Sequence, residues 1–261
     1  MLEKKVRDMK MFFICLAAAF FLTLPLVGQL ADVRIPAAGL LGIPMTGLGY
    51  MLVFFHELGH TAAYWFFGYP ALPSFDFSHG GGYTQAYAKS WFILGLIWTA
   101  AAAYGLRLWQ NMEYRALVWL GGAMLLHALL MLSKGDLIVV GFAGHVGEVL
   151  AAAFCLLRAF LNTTDKARGA VERWLNMLFG CFVLVYDTIF TLSLMFHGLS
   201  RDIYAAQKGG HLQGDLDRIA LALHIPMPVV AGFLLLLTWG IFAFAVIYGR
   251  RHAPHTDYPA G

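Results

Sequence analysis

Charge is scarce in this sequence. Asp, Glu, Lys and Arg make up 13% of its 261 residues, against about 25% in a soluble domain. That deficit excludes a disordered chain and most ordinary cytosolic enzymes. Cysteine is nearly absent as well. Cys15, Cys155 and Cys181 all fall inside apolar runs, and an odd number of such thiols is not a disulfide framework. The net charge of +3 gives no basic surface that would suggest nucleic acid. There is no internal repeat and no low-complexity tract. What remains is apolar: 60% hydrophobic residues and a mean hydropathy of +0.68. The composition is that of a polytopic membrane protein with no large soluble domain.

About 20 apolar residues are needed to cross a bilayer as a helix. Stretches 11–31, 41–67, 90–108, 116–132, 137–157, 174–198 and 227–249 meet or nearly meet that length, which predicts an all-α protein of about seven transmembrane helices forming one domain over 1–261. The first run is too long for a signal peptide and lacks a small-x-small cleavage site, so it reads as a retained helix. Lys4, Lys5, Arg7 and Lys10 precede it and favour a cytoplasmic N-terminus. Over the whole chain, however, the 18 Lys and Arg residues divide evenly between the two sides.

An ionisable residue within a span is costly and marks a functional position by default. The acids deep in these spans are Glu57, Glu148 and Asp187, joined by His56, His60, His127 and His145. Three of these form His56-Glu57-Leu58-Gly59-His60. On a helix, positions i and i+4 share a face. His56 and His60 can therefore bind one Zn²⁺, with Glu57 as general base toward its water. The flanking Met51–Phe55 and Thr61–Phe67 are mostly apolar, so burying three polar groups here would have no purpose without a metal.

A catalytic zinc usually takes a third protein ligand. Counting residues from the span ends puts His145, Glu148 and Asp187 at the depth of the histidine pair. His145 and Glu148 lie three apart, on one helix face, in the small-residue run Gly144-His145-Val146-Gly147-Glu148. Asp187 fits by depth and competes as ligand. His127 reads more readily as a core histidine.

A multi-span chain with this motif inside an apolar helix resembles the site-2 protease family of intramembrane zinc metalloproteases. The resemblance is specific over residues 51–67. It implies a third ligand on a later core helix, typically an Asp in a short Gly-containing motif. We find no such motif, and Glu148 takes the corresponding place. As a carboxylate it matches the ligand class and adds the negative charge that two neutral imidazoles lack. His145 is then left for an oxyanion or supporting role. The resemblance also implies short strands after the motif helix, against which substrate lies extended. Gly68-Tyr69-Pro70 breaks that helix, and 71–87, with Gly80-Gly81-Gly82, predicts a β-hairpin or re-entrant segment. His79 is a further candidate near the metal.

The expected activity is metal-activated hydrolysis of a peptide bond in the transmembrane segment of another membrane protein. One Zn²⁺ would be bound by His56, His60 and Glu148, with Glu57 and His145 as catalytic groups, in a multi-pass protein of the bacterial inner membrane. The alternatives are a membrane metal transporter or sensor that uses the same His and acid residues as a relay, and a hydrolase of small lipids or peptides.

Overall fold

The computed structural model describes residues 2–30, 38–76, 81–161, 169–207 and 214–252. They are mostly helical. The order is α1 (Leu2–Leu30), α2 (Ala38–Phe66), β1 (Ala71–Asp76), β2 (Gly81–Ala86), α3 (Trp91–Gln110), α4 (Tyr114–Leu132), α5 (Gly135–Leu161), α6 (Gly169–Phe196), α7 (Gly198–Gln207), α8 (Asp215–Leu223) and α9 (Met227–His252). Seven helices, α1 to α6 and α9, are long and apolar enough to cross a membrane. The expected spans correspond to these helices, with ends shifted by a few residues. The segment 199–226, read as a connection, instead carries two short helices, α7 and α8.

The main core lies between α1, α2, α5, α6 and α9, where Cys15, Ala19, Leu52, Ala152, Leu156, Phe182 and Phe242 are buried. Small residues set its spacing. A Cβ on Gly59 of α2 would lie 2.0 Å from the Ala143 carbonyl oxygen of α5. A Cβ on Gly147 of α5 would lie 2.6 Å from the Phe55 carbonyl oxygen of α2. The two backbones therefore touch where no side chain fits, the close approach that glycine allows between apolar helices. Away from the site, a buried ion pair joins α1 to α6, with Arg173 Nη2 2.6 Å from Asp8 Oδ1. Arg173 Nε–H also donates to the Ala159 carbonyl of α5 at 2.7 Å.

Helix α2 ends where expected. Gly68 follows in the left-handed region at φ 84°, and its amide donates to the Trp65 carbonyl at 3.0 Å. A side chain there would be strained by backbone and would also meet Leu94, 2.5 Å from a built Cβ. The chain then forms an antiparallel hairpin, with Ala71 opposite Ala86 and Asp76 opposite Gly81. His79 lies outside the described residues.

His127 is a buried core histidine. Its Nε2–H donates to the Phe66 carbonyl at 3.0 Å. Its ring stacks on Phe67 with centroids 5.2 Å apart, which ties α4 to the end of α2.

The α2–α5 contact makes a direct prediction. Gly59→Ala cannot be accommodated without moving one helix backbone, an overpacking cost of about 1–3 kcal/mol. A clear drop in melting temperature in detergent is expected. Gly121→Ala, with open space around its Cβ position, should melt like the wild type.

Candidate metal centre

His56 and His60 face α5 from one side of α2. Gly144 lies under them: a Cβ at that position would sit 2.5 Å from His56 Nε2 and 2.4 Å from His60 Nε2. The absence of a side chain there creates the space into which both nitrogens point. His60 Nδ1–H donates to the Val140 carbonyl of α5 at 2.7 Å. That bond sets the tautomer, so in the neutral ring Nε2 carries a lone pair rather than a proton.

The third group is Asp215, the first residue of α8. Its Oδ2 lies 3.2 Å from His56 Nε2 and 3.2 Å from His60 Nε2. The two Nε2 atoms are 3.0 Å apart. Three donor atoms thus form a nearly equilateral triangle. Ligands on a tetrahedral zinc with bonds of about 2.0–2.1 Å stand roughly 3.3 Å apart, so the triangle has the size of one face of that polyhedron. A pair of imidazoles and a carboxylate is also a donor set that zinc accepts. The residues fit the ion that the motif implies.

Asp215 reaches this position because α8 is a short amphipathic helix packed against α5. Leu216, Ile219 and Ala220 are buried and recur at i, i+3 and i+4, one helix face. They pack with Ile138, Phe142, Phe190, Val230 and Leu234. Gly141 of α5 admits the helix, since a Cβ there would be 2.9 Å from Ile219 Cγ1. Tyr204 of α7 braces the start of α8: the Leu216 amide donates to its hydroxyl at 3.4 Å, and Gly214 leaves room for its ring. Burial alone would raise the Asp215 pKa, and the two imidazoles lower it when their Nε2 atoms are protonated and donate to the carboxylate. Its place in the first turn of α8 also favours negative charge there.

The residues expected from the sequence divide into two groups. His56 and His60 come together with Asp215, and separately His56 comes together with His145 and Glu148. Glu148 does not join the His56–His60 pair, which differs from the expected ligand set. Its Oε2 instead lies 3.6 Å from His56 Nδ1, against the ring nitrogen that points away from Asp215. Its Oε1 accepts from His145 Nδ1–H at 2.6 Å. Counting depth along spans placed Glu148 at the correct level but gave no information on which edge of His56 it would meet. The His145 ring is 4.7 Å from that of His56 and stacks on Phe190 at 5.6 Å. Asp187 belongs to neither group.

Asp215 was missed because depth was counted only along spanning runs, and α8 lies between two of them. The available signal was the Gly214-Asp215 pair, a glycine beside an acid ahead of an apolar i, i+3, i+4 pattern.

Glu57 is held by the hairpin. Thr84 of β2 lies with its hydroxyl 2.7 Å from Glu57 Oε2 and 3.1 Å from the Glu57 carbonyl oxygen. Gly82 of the same strand passes directly over the side chain, where a Cβ would be 2.6 Å from Glu57 Cγ. The second turn of this cover is Thr61, whose hydroxyl donates to the Glu57 carbonyl at 2.7 Å.

Comparison with protein-family models, with curated proteins and with solved structures finds no match for this chain.

The triangle predicts which carboxylate matters most for metal binding. Asp215→Ala should remove stoichiometric zinc from the purified protein, as His60→Ala should, when metal is counted by elemental analysis. Full zinc retention in Asp215→Ala would eliminate α8 as the source of a ligand.

Proposed function

We propose that this chain is an intramembrane metal-dependent endopeptidase of the kind that its HELGH motif resembles. The observation that carries this reading is the triangle of His56 Nε2, His60 Nε2 and Asp215 Oδ2, built on the helix that also carries Glu57. In this reading α1 to α6 and α9 cross the bilayer and the substrate is a transmembrane segment of another protein.

His56, His60 and Asp215 would hold zinc. Bound there, the ion would supply an acidified water and polarise the scissile carbonyl. Glu57 takes a proton from the attacking water and passes it to the departing amide nitrogen, so a C–O bond replaces the C–N bond. Thr84 holds one carboxylate oxygen of Glu57 and leaves the other for that transfer. Gly82 and Gly144 keep side chains out of the space around Glu57 and the metal ligands.

The hairpin gives the substrate a place to unwind. A helical segment has its carbonyls tied up in hydrogen bonds, and an exposed sheet edge offers replacement partners. Among the described residues each strand pairs with only one neighbour. An extended segment added to this sheet would run beside Glu57.

A metal carrier would make use of the second group, His56, His145 and Glu148, as a further station. It would have no need of Glu57 as a base. Glu57→Gln therefore separates the two readings. In the peptidase it keeps about one zinc per chain and lowers cleavage of a reconstituted transmembrane substrate by at least about 100-fold, the lower range for a lost general base. Zinc retention with undiminished cleavage would overturn the role of Glu57, and zinc flux into vesicles without cleavage would favour the carrier.

The hairpin contact adds a smaller effect. Thr84→Val should lower turnover and Thr84→Ser should restore most of it, with metal content unchanged in both. Equal activity in Thr84→Val and wild type would show that the hydroxyl does not orient the base.

A further inference from the structure

Glu148 is only 1% exposed, lies in the middle of α5 and is not a member of the metal triangle. A buried carboxylate in such a place needs partners that offset its desolvation. It has one hydrogen bond, from His145 Nδ1–H at 2.6 Å, and a longer contact with His56 Nδ1 at 3.6 Å. Neither the proposed hydrolysis nor the packing of α5 requires them.

We infer that Glu148 is the positioning residue of the metal centre: its carboxylate, 3.6 Å from His56 Nδ1, favours the proton on that nitrogen and so presents the Nε2 lone pair of His56 toward Asp215. The inference rests on the peptidase reading for the metal itself, and it adds a residue that acts through a ligand.

Both motif histidines then follow the same logic with different acceptors. His60 gives its Nδ1–H to a backbone carbonyl, Val140, at 2.7 Å. His56 lies one turn earlier on α2 and meets the Glu148 carboxylate instead. A metal-binding histidine usually has its second nitrogen tied to a carboxylate or carbonyl, which sets the tautomer, the ring plane and the basicity of the ligand. His145 has its place in the same arrangement. By donating to Oε1 at 2.6 Å it holds the carboxylate in the plane that leaves Oε2 toward His56. Oε2 has no hydrogen-bond partner among the described residues and lies 3.6 Å from His56 Nδ1, so it is free for this role. Phe190, stacked on His145, keeps that ring in place.

The test is metal affinity, measured without reference to turnover. The full-length protein in detergent is loaded with Co²⁺, whose visible absorption reports the coordination sphere, and titrated with a competing chelator. Replacing Glu148 by Met, similar in length and apolar, removes the acceptor. Cobalt affinity is expected to fall by about 10–100-fold, the usual effect of losing such a supporting group, with a tetrahedral spectrum of lower intensity. Glu148→Gln keeps an acceptor oxygen for His56 and should recover most of the affinity. Where Glu148→Met does not yield folded protein, Glu148→Asp serves the same purpose, because it withdraws the carboxylate by one methylene from His56 and should show a comparable loss.

Unchanged cobalt affinity in Glu148→Met or Glu148→Asp, with His60→Ala abolishing binding, would overturn the positioning role and leave the metal centre standing. Complete loss of cobalt in Glu148→Gln, matching Asp215→Ala, would overturn it in the other direction by making the carboxylate a ligand. Failure of the wild-type protein to bind cobalt would overturn both the inference and the metal reading beneath it.

Discussion

The site depends first on how closely α2 and α5 approach. Gly59 and Gly147 bring the two backbones into contact, and Gly144 leaves a space one turn away on α5. Each substitution by a larger residue would separate the helices or fill that space. Apolar helices in lipid gain little from the hydrophobic effect on meeting one another, so their association relies on close packing and on polar contacts. Here the same small residues serve both ends. They allow the contact, and they leave the histidine nitrogens facing a gap rather than a side chain.

Once the helices are that close, α5 supplies the contacts that orient the motif. Its Val140 carbonyl receives His60, its Glu148 carboxylate faces His56, and its Gly141 admits α8 with Asp215. Val140 and Gly141 are neighbours in sequence, and Glu148 follows two turns later on the same helix. Helix α5 thus acts as the frame against which two histidines from α2 and one acid from α8 are brought to about 3 Å of each other. The hairpin closes the opposite side and holds Glu57 through Thr84.

The arrangement also accounts for much of the polar burial. His56, His60, His145, Glu148 and Asp215 lie in contact with one another in a connected set, which offsets part of the cost of placing ionisable groups among apolar helices. Asp187, 2% exposed with Oδ2 lacking a hydrogen-bond partner among the described residues, belongs to neither group of candidate ligands, and its backbone carbonyl accepts from the Thr191 hydroxyl at 2.6 Å.

The seven apolar helices, the break after Phe67 and the motif face of α2 were legible in the sequence, because each is a local property. Run length, a glycine needing positive φ and the i, i+4 spacing all act within a few residues. The hairpin was expected from the family resemblance, as one of two forms for residues 71–87, rather than from the residues alone. Which acid stands beside the paired His56 and His60 nitrogens was not legible, because it is set by which edge of a ring an approaching carboxylate meets. Depth along a helix fixes one coordinate and leaves rotation about the axis open. Asp215 enters from a short helix whose apolar face is seated on residues of α5, α6 and α9, elements distant in sequence. Glycines at 141 and 144 are visible in the sequence as small residues, but that one admits a helix and the other leaves room for two histidine nitrogens is decided by the neighbours that the tertiary fold brings against them.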